Sequence, residues 1–146
     1  MAMDSVETLN LFLQDMPFVR YMGVVVLEIG EQGLLCHMPF KKEFIGNPNL
    51  PAIHGGAIAS FLETSAIATA NWSASALGQS DVALPVSVSF DYLRSAATED
   101  LYARTHVVKQ GRRLAQITCA AYQSDPLKPV TSLHASFLMS RHAATA

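Results

Sequence analysis

Between Gly55 and about Ser75 the chain reads GGAIASFLETSAIATANWSAS, a stretch of helical length with one charge, Glu63. Ile58, Phe61, Leu62, Ala66, Ile67 and Ala70 form a broad apolar face. Up to Ala70 the other positions, Glu63 aside, carry only alanine or the small hydroxyl residues Ser60, Thr64, Ser65 and Thr69. A helix without a charged stripe is expected to be buried. The rest of the chain must then enclose it, and 146 residues can form a single domain with a sizeable core.

The flanking segments read as the enclosure. Val6, Leu9, Phe12, Leu13 and Met16 recur at helical spacing, with Asp4 or Ser5 as N-cap and Pro17 as the stop. VVVLEIG and GLLCHMPF read as two strands around a Gly-Glu-Gln-Gly turn, and KKEFIGNPNLP as a loop. After Gly78, a reasonable helix stop, four strands are expected in meander order. In VSVSFDY, Val86, Val88, Phe90 and Tyr92 face one way, and Ser87, Ser89 and Asp91 the other. LYARTHVVK, RLAQITCAAYQ and VTSLHASFLM follow, joined by QGRR and SDPLK turns. The sum is an α+β chain, an antiparallel sheet with helices on one face. It forms one domain over residues 1–146, with an N-terminal helical segment at 1–20 and a core at about 24–139.

Composition excludes several classes. Half of the residues are apolar and 15% are charged, which argues against disorder. A net charge of −2 argues against a nucleic-acid partner. The N-terminal stretch has no basic region of the secretory kind, so a cytoplasmic location is expected. The uncharged run from Phe44 to Leu62 holds Asn47, Pro48, Asn49, Pro51 and His54 and is a poor membrane span, so no membrane partner is expected. Cys36 and Cys119 read as a reduced pair, and the NWS sequon at Asn71 as chance. The histidines His37, His54, His106, His134 and His142 show no metal-ligand spacing. No G-x-S-x-G elbow or phosphate loop is present, so no metal or cofactor is expected.

IHGGAIASFLET resembles the His-Gly-Gly motif of hotdog-fold acyl-CoA thioesterases, in the phenylacetate-pathway and 4-hydroxybenzoyl-CoA branch. That branch places an acid nine positions after the histidine, as Glu63 stands after His54. VSVSFDYLRSA and LYARTHVVKQGRRLAQI resemble the family's later strands, and the likeness runs roughly from Val24 to Met139. It implies a sheet wrapped around one long central helix, an acyl-CoA substrate, and a homodimer that often pairs into a tetramer. One departure stands out. Relatives often carry Asn or Gln six residues before the histidine, where this chain has Pro48; Asn47 or Asn49 could take that place.

Thioester hydrolysis needs an activated water or a protein nucleophile, and a stabilised oxyanion. Gly55 and Gly56 open the helix, so their N–H groups lack intrahelical partners, sit in the positive end of the dipole and permit close approach. The resemblance points to the Gly55 N–H as the donor, with His54 orienting the loop or holding the carbonyl. Glu63 is the candidate base or nucleophile. Burial among Ile58, Phe61, Leu62 and Ile67 should raise its pKa. Gly55 and Glu63 lie eight residues apart, about 12 Å along one helix. Both can act on one thioester only if they come from different chains, so the chemistry calls for a dimer with composite sites.

Weaker candidates for substrate contact are Gly56, Thr64, and Ser87 and Ser89 on their strand face. Thr64 and Ser65 could equally bond back to their own helix. Arg94, Lys109, Arg112 and Arg113 concentrate positive charge suited to the phosphates of coenzyme A, or form solvated turns. Three other readings remain, one of them a structural oligomer whose helix happens to carry Glu63 and which binds no coenzyme A. A non-catalytic acyl-CoA binding module would bind without turnover. A hotdog dehydratase typically carries an Asp-His pair, the histidine about five residues after the aspartate; no such pair is found.

Overall fold

The computed structural model describes residues 2–79 and 82–140. Helix α1 (Val6–Gln14) begins at a capping box. Ser5 Oγ accepts the Thr8 N–H at 3.1 Å, and Thr8 Oγ1 accepts the Ser5 N–H at 3.2 Å. Pro17 stops α1 as expected, but it also opens a second helix, α2 (Pro17–Met22), closed by Gly23 at φ +78°. Proline fits the first position of a helix because the N–H it lacks would have no partner there.

Strands β1 (Val25–Ile29) and β2 (Leu34–Met38) form the expected hairpin. A short 3-10 turn (Lys42–Phe44) then leads to helix α3 (Gly55–Ala76). Strands β3 (Val82–Tyr92), β4 (Leu101–Gln110), β5 (Leu114–Tyr122) and β6 (Thr131–Ser140) follow. The sheet is antiparallel and six-stranded, in the order β1-β2-β4-β5-β6-β3, and packs against α3. This is the hotdog arrangement of a sheet around one long helix.

The expected four-strand meander is corrected in one respect. β4, β5 and β6 do form a meander, but β3 pairs with β6 and lies at the far edge, while β4 pairs with β2. The segment 93–100 is longer than a hairpin turn, so it does not fold β4 back onto β3.

Inward residues alternate along the strands: Leu34, Cys36 and Met38 on β2, Ile117 and Cys119 on β5, Leu133 and Phe137 on β6. Ala103, Ala115, Ala121 and Ala135 leave room for the fully buried Phe61 and Leu62 of α3. A buried hydroxyl chain ties helix to sheet. The Thr69 and Thr105 hydroxyls lie 2.6 Å apart, and Thr105 Oγ1 accepts the Leu34 N–H at 2.7 Å. A Cβ on Gly33 would stand 2.0 Å from the Thr105 carbonyl oxygen, so the hairpin approaches β4 only because this residue has no side chain.

Asn71 is buried. Its Nδ2 donates to Ile67 O at 3.0 Å, and its Oδ1 accepts the Ala83 N–H at 3.0 Å, which couples α3 to the start of β3. A side chain so engaged is closed to glycosylation, so the sequon carries no sugar in this fold. Cys36 and Cys119 are free and buried. They lie on β2 and β5, with β4 between. Two strand spacings come to about 10 Å, beyond disulfide reach. At the β1 edge, the Asn10 amide donates to Val26 O at 3.0 Å and accepts the Val26 N–H at 2.8 Å. Among the described residues, the edge of β3 away from β6 has no strand beside it.

Candidate active site

The start of α3 is shaped by His54, its N-cap. The Gly56 N–H donates to His54 Nδ1 at 2.8 Å. Because a backbone N–H can only donate, a neutral His54 ring carries its proton on Nε2, which makes no hydrogen bond within the described residues. The Gly55 N–H has no acceptor among the described residues. Gly55 instead uses its carbonyl, which accepts from Tyr92 Oη at 3.1 Å. Three glycines make room for this arrangement. A Cβ on Gly46 would lie 2.5 Å from His54 Cδ2, one on Gly56 would lie 2.9 Å from His54 Cε1, and one on Gly55 would lie 3.0 Å from Tyr92 Cε1.

Gly56, Ser60, Glu63 and Ile67 follow one another down one side of α3 at the spacing of adjacent turns, and none is buried. Two grooves lie along this stripe. The first, about 480 Å³, has His54, Gly56 and Ser60 on one side and Phe18, Tyr21 and Phe44 on the other. The second, about 240 Å³, holds Glu63, Thr64 and Ile67 against Met16 and Val19. Phe18 and Ser60 belong to both.

The expected burial of Glu63 among Ile58, Phe61, Leu62 and Ile67 is corrected. Ile58, Phe61 and Leu62 turn into the core, whereas Glu63 is half-buried and lines the second groove. No cation pairs with it among the described residues. Thr64 is buried beside it, and its hydroxyl does not bond back to the helix; Ser65 does, to Phe61 O at 2.8 Å.

The other candidates divide. Asn47 Oδ1 accepts the Asn49 N–H at 2.9 Å, so Asn47 shapes its own turn, and both asparagines are exposed in the loop before His54. Ser87 and Ser89 do not approach α3 within the chain. They line a groove of about 260 Å³ with the outward-facing Gln116, Thr118 and His134, because Val88 and Phe90 take the core face of β3. Arg94 follows Tyr92 at the His54 end of the sheet, and its Nε donates to Pro129 O at 3.1 Å. Arg112 and Arg113 are exposed in the β4–β5 turn, at the other end of β4. Nine strand steps put them about 30 Å from the Leu101 end. Within one chain, then, Arg94 shares the site's end of the sheet and Arg112 and Arg113 do not.

Phe18 and Tyr21, along with Tyr92 as a partner of Gly55, escaped the sequence reading. The signal for the first two was present: Phe18, Val19, Tyr21 and Met22 directly follow a proline at a helix-opening position. Among the described residues, no helix is long and apolar enough to cross a membrane.

Comparison with known proteins agrees with this fold. The family model for the acyl-CoA thioesterase N-terminal domain matches residues 47–138, from the loop before His54 through most of β6. No curated protein matches the sequence. Among solved structures, a Chromobacterium violaceum protein is 30% identical, over 92% of this chain and 91% of that one, with a TM-score of 0.70. A Bordetella protein from the thioesterase superfamily is 28% identical, over 91% of this chain and 96% of that one, with a TM-score of 0.80. A Haemophilus influenzae thioesterase shares the fold at 18% identity, over 92% of this chain and 90% of that one, with a TM-score of 0.79.

Proposed function

Since the chain belongs to the acyl-CoA thioesterase domain family and has the hotdog fold, we propose that it hydrolyses acyl-CoA thioesters to a free acid and coenzyme A. The observation that carries this reading is the pairing of two groups on one helix that have no partner among the described residues. The Gly55 N–H stands open at the helix start, and the Glu63 carboxylate stands open two turns further along the exposed side.

In this reading the thioester carbonyl oxygen lies against the Gly55 N–H and the His54 Nε2–H. Both donors suit a developing oxyanion, and the helix dipole adds to them. Glu63 then acts in one of two ways. It takes a proton from water while the hydroxide bonds to the carbonyl carbon, or it attacks that carbon itself and water cleaves the resulting anhydride. In both, the tetrahedral intermediate collapses with cleavage of the C–S bond, and the coenzyme A sulfur leaves as thiolate and takes up a proton.

About 12 Å of helix separates Gly55 from Glu63 in one chain, so the acid comes from a second copy. Two α3 helices crossing antiparallel at Ala59, the midpoint, would bring each Glu63 to the other's Gly55. Gly56, Ala59 and Ser60 are small enough for close approach. The open edge of β3 supports such a pairing, since an unpaired strand edge is a natural place for a second copy.

The test is thiol release from acyl-CoA esters by wild type and by Glu63→Gln, which keeps the shape and removes the base. A fall in kcat of roughly 10²–10⁴-fold, with folding and substrate binding retained, is the expected result. Equal turnover by both proteins would remove Glu63 from the chemistry. Tight binding of acyl-CoA by a wild type that releases no thiol would instead identify a binding module.

A further inference from the structure

Most of the residues that wall the larger groove lie outside the region that the family model matches. Phe18, Tyr21 and Met22 come from α2, and Glu43 and Phe44 from the 3-10 turn. Met22 and Phe44 are buried, but Phe18 and Tyr21 above them are 61% and 52% exposed. Lys41 fixes the two walls to each other. Its Nζ donates to the Tyr21 carbonyl, one of the open acceptors at the end of α2, and lies 4.6 Å from the Tyr21 ring centre and 5.9 Å from that of Phe44. Lys41 thus links the two walls, and two aromatic rings are left in water along the groove.

One end of this groove is His54 and Gly56, where the thioester carbonyl would lie. The other walls are mostly apolar. The charged lining residue is Glu43, and Lys41, beside the Tyr21 and Phe44 rings, is not one of the lining residues. An occupant bearing a carboxylate would meet repulsion and find no partner for its own charge.

We infer that α2 sets the acyl selectivity: Phe18 and Tyr21 cover an uncharged acyl chain that runs from His54 into the groove. Chains longer than acetyl are preferred, and acyl groups ending in a carboxylate are rejected. The inference rests on the hydrolysis reading above and adds to it the substrate class and the residues that choose it.

The experiment compares kcat/KM for acetyl-, butyryl-, hexanoyl-, octanoyl- and succinyl-CoA in wild type, Phe18→Ala, Tyr21→Ala and Phe18→Trp. These side chains are largely exposed, so the variants should fold. In wild type, kcat/KM should rise about fourfold for each added methylene until the groove is filled, and succinyl-CoA should fall about tenfold or more below butyryl-CoA. The alanine variants should lower the octanoyl-to-butyryl ratio by about fourfold or more, the worth of at least one methylene contact. Phe18→Trp should move the optimum to shorter chains. Thiol release that is flat across the series, or a ratio unmoved in both alanine variants, overturns the inference and leaves hydrolysis standing. A wild type that releases no thiol from any ester overturns both.

Discussion

Gly56 donates its N–H to His54 Nδ1 at 2.8 Å, while the N–H of Gly55, one residue earlier, finds no acceptor among the described residues. A helix start ordinarily exposes several donors at once. Here the cap takes one of them and leaves its neighbour open. The same bond fixes the tautomer of a neutral histidine, whose Nε2–H is then a second donor.

That pairing can be separated into its structural and chemical parts. His54→Asn keeps a good N-cap, so stability should stay within about 0.5 kcal/mol of wild type. It lacks the Nε2–H, so kcat/KM should fall about a hundredfold. Gly46→Ala puts a Cβ 2.5 Å from His54 Cδ2 and should displace the ring from a distance. Thermal melts and thiol release on both single variants and the double variant check this. The two activity losses should not add, because both act through one ring; additive losses would show that Gly46 works by another route.

Helix α3 is tied to the sheet by hydroxyls as well as by packing. Thr105→Val strands the Leu34 N–H, which donates to Thr105 Oγ1 at 2.7 Å, and should cost about 2 kcal/mol. Thr105→Ser keeps the acceptor and should lose clearly less. Gly33→Ala drives a Cβ against the Thr105 carbonyl, a backbone group that cannot swing away, and should cost about 3 kcal/mol. Urea denaturation measures all three. A valine variant no weaker than the serine variant would dismiss the hydroxyl.

Asp100 supplies a pH-dependent term. The Phe40 N–H, at 2.8 Å, and then His37 Nε2, at 2.9 Å, hold its carboxyl below the usual carboxylate range. A lowered folded pKa gives stability that is fully present above the unfolded value, about 3.9, and is lost as pH falls through the folded value. Asp100→Asn should therefore be less stable than wild type at pH 7, with the gap closing below about pH 4. Half the side chain is exposed, so the gap should be small and should shrink in salt. A gap that widens on acidification would reverse the assignment.

Both cysteines should be silent in the folded protein. Burial pushes the Cys36 thiol up to about 12, against a weaker opposing hydrogen bond with Ser65, and burial likewise pushes Cys119 well above the ordinary thiol range. A thiol-reactive disulfide reagent at pH 8 should label neither in the native state and both after unfolding. Rapid native labelling would mean that the β2–β5 region opens easily.

Much of this architecture could be read from periodicity. The uncharged run after Gly55 specified a central helix, and alternation in LYARTHVVK, RLAQITCAAYQ and VTSLHASFLM specified a meander. Strand pairing across the chain left no such mark: nothing local in VSVSFDY says that it lies beside β6 rather than β4. The exposure of Glu63 was hidden for a related reason. A stripe of Gly56, Ser60, Glu63 and Ile67 is too small and too weakly polar to read as a solvent face, though α2 covers it only in part. Asn10 and Asn71 look like ordinary surface amides in the sequence. Each is revealed as a tie only when the backbone it bonds is brought near.

Asn10 has a consequence for assembly. A sheet with two bare edges can recruit copy after copy and grow into a filament. Here one edge is stoppered: Asn10 gives Val26 the two bonds that an incoming strand would have offered, and α1 lies along β1. Among the described residues the edge left for growth is that of β3, and a pair joined there would present a stopper at each outer end. Strand addition would then terminate at two copies, the number that the proposed shared site of Gly55 and Glu63 would require.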